Sequence, residues 1–239
     1  MKEILGDNGR KANTKVISVA LAAALLVATA AAGDQLLIDP SFENNPLIGY
    51  VEVLNNFEKY QGIWGVENAV IVGATGNVIP PGGKKMLQMW DDGLIVTQAF
   101  QVTDVTAYSS LIDSGEAVGL LGALFNVENA PKARTVVHIS YYSGPGGEFE
   151  IGTFWSLLDL DADVTTWETN LAQTSVPVGT RWVVSDIAYD SELLQGNPGY
   201  FDAASLRIVP EPGSFLALGA GLGLLAGRQR SRRVSLKFG

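Results

Sequence analysis

The stretch TVVHISYYSGPGGEFEIGTFW, residues 135–155, decides the fold class. Its two outer parts, residues 135–142 and 148–155, are rich in β-branched and aromatic residues, which favour strands. Residues 143–147 between them are serine, glycine and proline, which favour turns. The stretch therefore predicts two strands joined by a turn.

The same pattern recurs throughout residues 33–208, and no amphipathic helix of convincing length interrupts it. Ten short strands without intervening helices favour two packed antiparallel sheets. We therefore expect one all-β domain, an antiparallel β-sandwich of jelly-roll type. The predicted strands are residues 50–54, 69–72, 85–90, 94–102, 117–127, 135–142, 148–155, 166–172, 181–189 and 203–208.

This middle part of the chain is strongly acidic. Nine of the 16 Lys and Arg residues lie before residue 33 or after residue 208, but only three of the 25 Asp and Glu residues do. Residues 33–208 therefore carry 7 basic and 22 acidic side chains, a net charge of −15. Because phosphate backbones require basic surfaces, we expect no nucleic-acid partner. The chain has no cysteine, so disulfides cannot stabilise the fold.

Residues 1–32 predict a secretory signal peptide. Four basic residues precede the apolar run of residues 16–28, and Ala30, Ala31 and Ala32 fit the small-residue site of signal peptidase. We expect signal peptidase to cut before Gly33 and the chain to be exported. The alternative is a permanent N-terminal anchor, but the apolar run is short against the roughly 20 residues that a span needs.

Two segments of the middle part resemble the first and last strands of galactose-binding-like jelly rolls. They are LLIDPSFENNP (residues 36–46) and YFDAASLRI (residues 200–208), with VTQAFQV, ARTVVHISYY and TRWVVSDIAY following in the expected order between them. The resemblance implies a structural Ca²⁺ held by Glu43 and Asp202, with Asp39 as a third candidate. Ala203 stands where the family often has a second acid, and the alternative is that these carboxylates are ordinary strand-edge residues.

The stretch VPEPGSFLALGAGLGLLAGRQRSRR (residues 209–233) resembles the PEP-CTERM sorting signal of Gram-negative bacteria. The resemblance implies a motif, a transmembrane helix and a basic tail within residues 209–239. It also implies transient inner-membrane association and cleavage by an exosortase-type membrane protease, followed by delivery to the cell surface or the extracellular space. Arginine clusters stay on the cytoplasmic side of a membrane, so residues 33–208, which we call the body, would face outward. The alternative is a permanent single-pass anchor. The motif is Val209, Pro210, Glu211 and Pro212, and the basic cluster is Arg228, Arg230, Arg232 and Arg233.

Residues 33–208 offer few candidate catalytic, metal-binding or sugar-binding side chains. His138 is the sole histidine and cysteine is absent, so a zinc site and a Cys-His nucleophile are disfavoured, and we expect no catalysis at His138. Trp64 and Trp90 lie in loop-like contexts, where an indole face suits the apolar face of a sugar ring. The alternative is that every tryptophan serves packing.

These observations predict a non-enzymatic exported protein of the cell surface or the extracellular matrix, which contributes to biofilm through weak contacts with polysaccharide. One alternative is an envelope enzyme that acts on polysaccharide with paired carboxylates. A ligand-free surface spacer is the other.

Overall fold

The structure is a computed structural model that describes residues 33–44, 46–90, 96–128, 133–161, 163–190 and 197–211. The predicted signal peptide, Pro212, the predicted transmembrane segment and the four arginines of the basic cluster lie outside the described residues. No helix within these ranges has the length and apolar character needed to cross a membrane.

The described residues form eleven strands, three short α-helices and two single-turn 3-10 helices. The α-helices are α1 (Tyr50–Asn55), α2 (Phe57–Tyr60) and α3 (Ser109–Asp113). The strands are β1 (Leu47–Gly49), β2 (Trp64–Val66), β3 (Ala69–Val72), β4 (Met86–Trp90), β5 (Thr97–Asp104), β6 (Ala117–Val127), β7 (Arg134–Tyr142), β8 (Glu150–Asp159), β9 (Glu168–Ser175), β10 (Trp182–Asp190) and β11 (Pro198–Pro210).

The strands form two sheets with the order of a jelly roll. One sheet has the order β1-β2-β5-β10-β7-β8 and the other β3-β4-β11-β6-β9. β4 pairs with β11, β5 with β10, β6 with β9 and β7 with β8, all antiparallel, as in one long hairpin rolled into two layers. Only β1 and β2 pair in parallel among the described strands. The predicted antiparallel β-sandwich is confirmed.

The main core lies between the two sheets. Strand side chains alternate between faces, so each long strand contributes every second residue to this layer. Leu121 and Phe125 of β6, with Phe201 of the neighbouring β11, share one buried cluster with Ile139 of β7 and Ile187 of β10 in the other sheet. The sandwich is therefore stabilised by apolar burial between sheets, as expected for a chain without cysteine.

One predicted strand is wrong. Residues 50–54 form helix α1, in which Val53 is fully buried and Leu54 is half-buried. Both side chains pack against the apolar outer face of the six-stranded sheet. This packing stabilises the helix, although the local sequence favours a strand. The short strands β1 and β2 lie outside the predicted set.

The sandwich extends further toward the C-terminus than residue 208. Asp34–Glu211 form one compact unit, and β11 continues through Val209 and Pro210. The first two residues of the predicted sorting motif are therefore part of the sheet.

Candidate functional site

A row of four side chains crosses the outer face of the six-stranded sheet. Phe100 of β5 pairs with Asp186 of β10. Asp186 pairs with His138 of β7, and His138 pairs with Trp155 of β8. Because neighbouring strands lie about 4.8 Å apart, the row spans roughly 14 Å across the strands. We call it the outer-face row.

Helices α1 and α2 cover the sheet on the Phe100 side of this row. Gly65 of β2 permits their close approach, because a Cβ there would lie 2.6 Å from Cγ2 of Val53 and 3.2 Å from Cα of Tyr50. The exposed ring of Tyr50 meets Phe100 edge-on, with 5.9 Å between ring centroids. The buried cluster beneath the helices comprises Val53, Phe57, Phe100, Val102, Tyr142, Trp182 and Val184.

The middle of the row is a polar network around His138. Its Nδ1 lies 3.3 Å from Oδ2 of Asp186, and its Nε2 contacts the hydroxyls of Thr153 and Ser140, the latter at 3.3 Å. The two hydroxyls lie 3.1 Å from each other. These mutual contacts hold four polar groups in fixed positions on the outer face of the sheet.

Burial controls the charge of this network. It raises the pKa of Asp186, while the hydrogen bond from His138 opposes the rise. Oδ1 of Asp186 is buried and has no hydrogen-bond partner among the described residues. His138 therefore hydrogen-bonds to one carboxylate oxygen of Asp186, and the other oxygen stays without a partner among the described residues.

Trp155 forms the open end of the row. Its side chain is 57% exposed although it lies within a strand, because β8 is at the end of the sheet away from the cluster that α1 and α2 cover. Its ring stands nearly edge-on to His138, with 6.2 Å between centroids, and exposed Leu157 follows it on the same face. An exposed indole next to fixed hydroxyl and imidazole groups suits a ligand with one apolar face and several hydroxyls.

The network has the connectivity of a Ser-His-Asp triad, but its serine is not accessible to a substrate. Ser140, His138 and Asp186 are linked in the order that acyl transfer uses. However, Ser140 is only 4% exposed, so a substrate carbonyl cannot reach its hydroxyl in this conformation. The sequence showed that Ser140 and His138 share a strand face, whereas the contact with Asp186 comes from pairing 48 residues away.

The expected exposure of Trp64 is wrong. Trp64 is 0% exposed and packs between Phe42 and Phe201, at centroid distances of 5.1 and 6.3 Å. Its Nε1 donates to the carbonyl of Asp39 at 3.1 Å. Trp64 is thus a core residue on the inner face of β2 and cannot stack on a glycan.

Trp90 is half-buried at the end of β4. It lines an open depression of about 470 Å³ together with Val66, Asn68, Ala69 and Val70. Its backbone N–H donates to the carbonyl of Asn68 at 3.0 Å. Trp90 remains accessible, but the described lining of its depression includes only one polar side chain, Asn68.

The three predicted calcium ligands differ in the hydrogen bonds that their carboxylates make. Asp39 uses both carboxylate oxygens within its own turn, where they accept from the backbone N–H groups of Glu43 and Asn44 at 2.9 Å each. Glu43 Oε1 accepts from the N–H groups of Lys84 and Lys85, which lowers the pKa of Glu43.

Asp202 differs from both. It is fully buried next to the bulge in β11, where Oδ1 accepts from the N–H of Ala203 at 2.6 Å. Oδ2 has no hydrogen-bond partner among the described residues. Burial raises the pKa of Asp202 to about 6, hydrogen bonding from Ala203, Ser41 and Gly82 opposes the rise, and the nearby Glu43 carboxylate adds to it. No group of three or more acidic, histidine or cysteine side chains suited to a metal occurs in the described part of the chain.

The beginning of the predicted sorting motif is a strand end. Val209 is buried and pairs with Val118, and Pro210 pairs with Ala117. Glu211 is exposed, and its N–H donates to the carbonyl of Glu116 at 2.7 Å.

No family model and no curated protein matches this chain. Solved structures similar to it include a family 61 carbohydrate-binding module in complex with β-1,4-galactotriose, at 14% identity over 68% of this chain and 99% of that chain, with a TM-score of 0.44. Another is a xylan-binding module from Paenibacillus barcinonensis, at 13% identity over 75% and 97% of the two chains, also with a TM-score of 0.44. A family 16 carbohydrate-binding module gives 13% identity over 72% and 98%, with the same score. Scores below 0.5 do not establish a common fold, so the architecture rests on the strand order and register given above.

Proposed function

We propose that this chain is an exported, non-enzymatic protein of the cell surface or the extracellular matrix, and that its β-sandwich binds polysaccharide at the outer-face row. The observation that carries the proposal is the 57% exposed indole of Trp155 in register with the polar network of His138 and Asp186. The jelly-roll strand order supports the resemblance to galactose-binding-like domains.

The chemistry of the row suits a sugar chain that lies across the strands. The apolar face of a pyranose can stack on Trp155, while its hydroxyls exchange hydrogen bonds with Thr153 and His138. Exposed Tyr50 lies at the other end, beyond Phe100. The body's net charge of −15 favours a neutral or basic glycan over a polyanion.

Binding to polysaccharide secreted by the native host tests this proposal. Trp155→Ala should weaken binding about fivefold or more, because a stacked aromatic contributes about 1 kcal/mol or more. Trp90→Ala is the matched control, since it removes the same side chain from a different place. Loss of binding in Trp90→Ala with full binding in Trp155→Ala would move the site to the depression beside β4. Release of reducing ends that depends on Asp186 would assign an enzyme instead.

We propose further that residues 1–32 are a signal peptide and that residues 209–239 are a PEP-CTERM sorting signal. The order of motif, apolar run and arginine cluster at 228–233 supports this route. Signal peptidase would cut before Gly33, an inner-membrane intermediate would follow, and an exosortase-type protease would release the body. Mass spectrometry of the mature protein from its native host tests both cuts, and a released protein that still carries the arginines would contradict the second.

A structural Ca²⁺ is proposed at Asp202 and Glu43. The unpartnered, buried Oδ2 of Asp202 and the proximity of the Glu43 carboxylate support it, because a cation would compensate both charges. Asp39 is left out of this proposal, because both of its carboxylate oxygens accept backbone N–H groups of its own turn. Thermal unfolding with calcium and with a chelator tests the site.

A further inference from the structure

We propose that the processing protease cuts the chain at the bond between Glu211 and Pro212 or beyond it, so that Val209 and Pro210 stay in the mature body. This inference rests on the proposed sorting role of residues 209–239. It assigns two functions to the Val209-Pro210-Glu211-Pro212 motif, because Val209, Pro210 and Glu211 stay with the domain while the removed segment begins at Pro212 or later.

Backbone pairing is the first observation. β11 lies between β4 and β6 in its sheet, but β4 pairs with Pro198–Phe201 alone, so β6 is the strand partner of the last half of β11. Its pairing with β6 continues without a break from Ser205 to Pro210, and Glu211 adds one further backbone hydrogen bond to Glu116. The last half of β11 is thus fixed to β6 up to the residue before Pro212.

The N-terminal segment binds β11 as well. The N–H of Leu36 donates to the carbonyl of Leu206 at 2.9 Å. The side chain of Gln35 donates to the carbonyl of Ala204 and accepts from the N–H of Leu206. The first residues after the predicted signal-peptidase cut therefore help to hold the strand that leads to the second cut.

Burial is the second observation. Leu206, Ile208 and Val209 are all at most 5% exposed, whereas Glu211 is exposed. A cut before Val209 would remove a buried side chain and two residues that pair with β6. A cut after Glu211 would remove none of them.

Protection from proteolysis follows from these contacts. A protease binds its substrate as an extended segment whose backbone groups are free to pair with the enzyme. The backbone of β11 pairs with β6, so cleavage inside it requires the strand to leave the sheet, which approaches global unfolding. Hydrolysis directly after Glu211 disturbs at most the last residues of β11, and hydrolysis further along the chain disturbs fewer of them. Water adds its hydroxyl to the Glu211 carbonyl carbon as the C–N bond breaks, and its proton goes to the imino nitrogen of Pro212.

The test uses the full chain expressed in its native host. Intact-mass measurement and C-terminal peptide mapping of the released protein should place its last residue at Glu211 or later. A last residue at Pro210 or earlier, with the arginine tail gone, overturns this inference and leaves the sorting proposal standing. A released protein that keeps its tail overturns both.

A second measurement is independent of the host protease. Proteinase K applied to the full-length precursor in membrane fractions should leave a protected body fragment that ends at Glu211 or later. A protected fragment that ends before Val209 would show that the end of β11 opens readily, and it would overturn the inference whatever the fate of the tail.

Discussion

Replacing Asp202 with Asn should change how stability depends on pH, with a predictable sign. Asp202 is fully buried and its pKa is raised from an ordinary 3.8 to about 6, first of all by burial. The folded protein therefore holds this proton more tightly than the unfolded chain does. The stability that Asp202 contributes is complete below about pH 4 and is lost as the pH rises through about 6.

The size of the effect follows from the shift of about two pKa units. One unit corresponds to about 1.36 kcal/mol, so ionisation of Asp202 costs the folded state about 3 kcal/mol when no cation is bound. Asn cannot ionise, yet its amide oxygen can still accept from the N–H of Ala203. The stability of Asp202→Asn relative to the wild type should thus rise by about 2.5 kcal/mol between about pH 4 and about pH 7.5, because part of the effect already lies below pH 4.

Urea unfolding in a chelator, followed by tryptophan fluorescence, measures this difference. Asp113→Asn is the matched control with the opposite sign, because Arg181 lowers the pKa of Asp113 by hydrogen bonding. Stability from that pair is present above the unfolded pKa of Asp113 and is lost as the pH falls. An Asp202→Asn difference that is equal at the two pH values would refute the reasoning. If Ca²⁺ binds, it should raise the Tm of the wild type at neutral pH but not that of Asp202→Asn.

Three further substitutions test the packing. Trp64→Ala should lower the free energy of unfolding by about 3–5 kcal/mol in urea, because the ring is fully buried; a loss below about 1 kcal/mol would contradict its core position. Trp155→Ala should change the same quantity by less than about 0.5 kcal/mol, and a larger loss would mean that the exposed indole serves packing. Gly65→Val should displace α1, because even a Cβ would lie 2.6 Å from Cγ2 of Val53, and faster amide exchange in α1 is the expected result. Unchanged exchange would show that the helix does not depend on Gly65.

The sequence predicted most strands because their β-branched runs are long and their turns are marked by Gly and Pro. It failed at residues 50–54, where five residues are too few to distinguish the two periods. The sequences of β5 and β10 did carry a signal that a helix covers the outer face of the sheet. Trp182 and Val184 are buried on the outer face of β10, and Phe100 is buried on the outer face of β5. Strands that are apolar on both faces need a cover, and α1 and α2 supply it.

The candidate site could not be predicted in the same way. The glycines around Trp64 indicated an exposed loop, but Gly62 adopts a positive φ of 73° and Gly65 seats a helix, so both serve packing. The outer-face row joins Phe100, Asp186, His138 and Trp155 through strand register alone. No local sequence pattern encodes contacts between residues so far apart along the chain.

The most direct test of glycan binding at the outer-face row is a titration followed through the indole N–H signals of the protein. Fragments of the host's own polysaccharide are added to ¹⁵N-labelled protein, and the signal of Trp155 is assigned by its loss in Trp155→Phe. The Trp155 signal should shift in a saturable manner, while the signals of buried Trp64 and Trp182 stay in place. A saturable shift at Trp90 with no change at Trp155 would contradict the account.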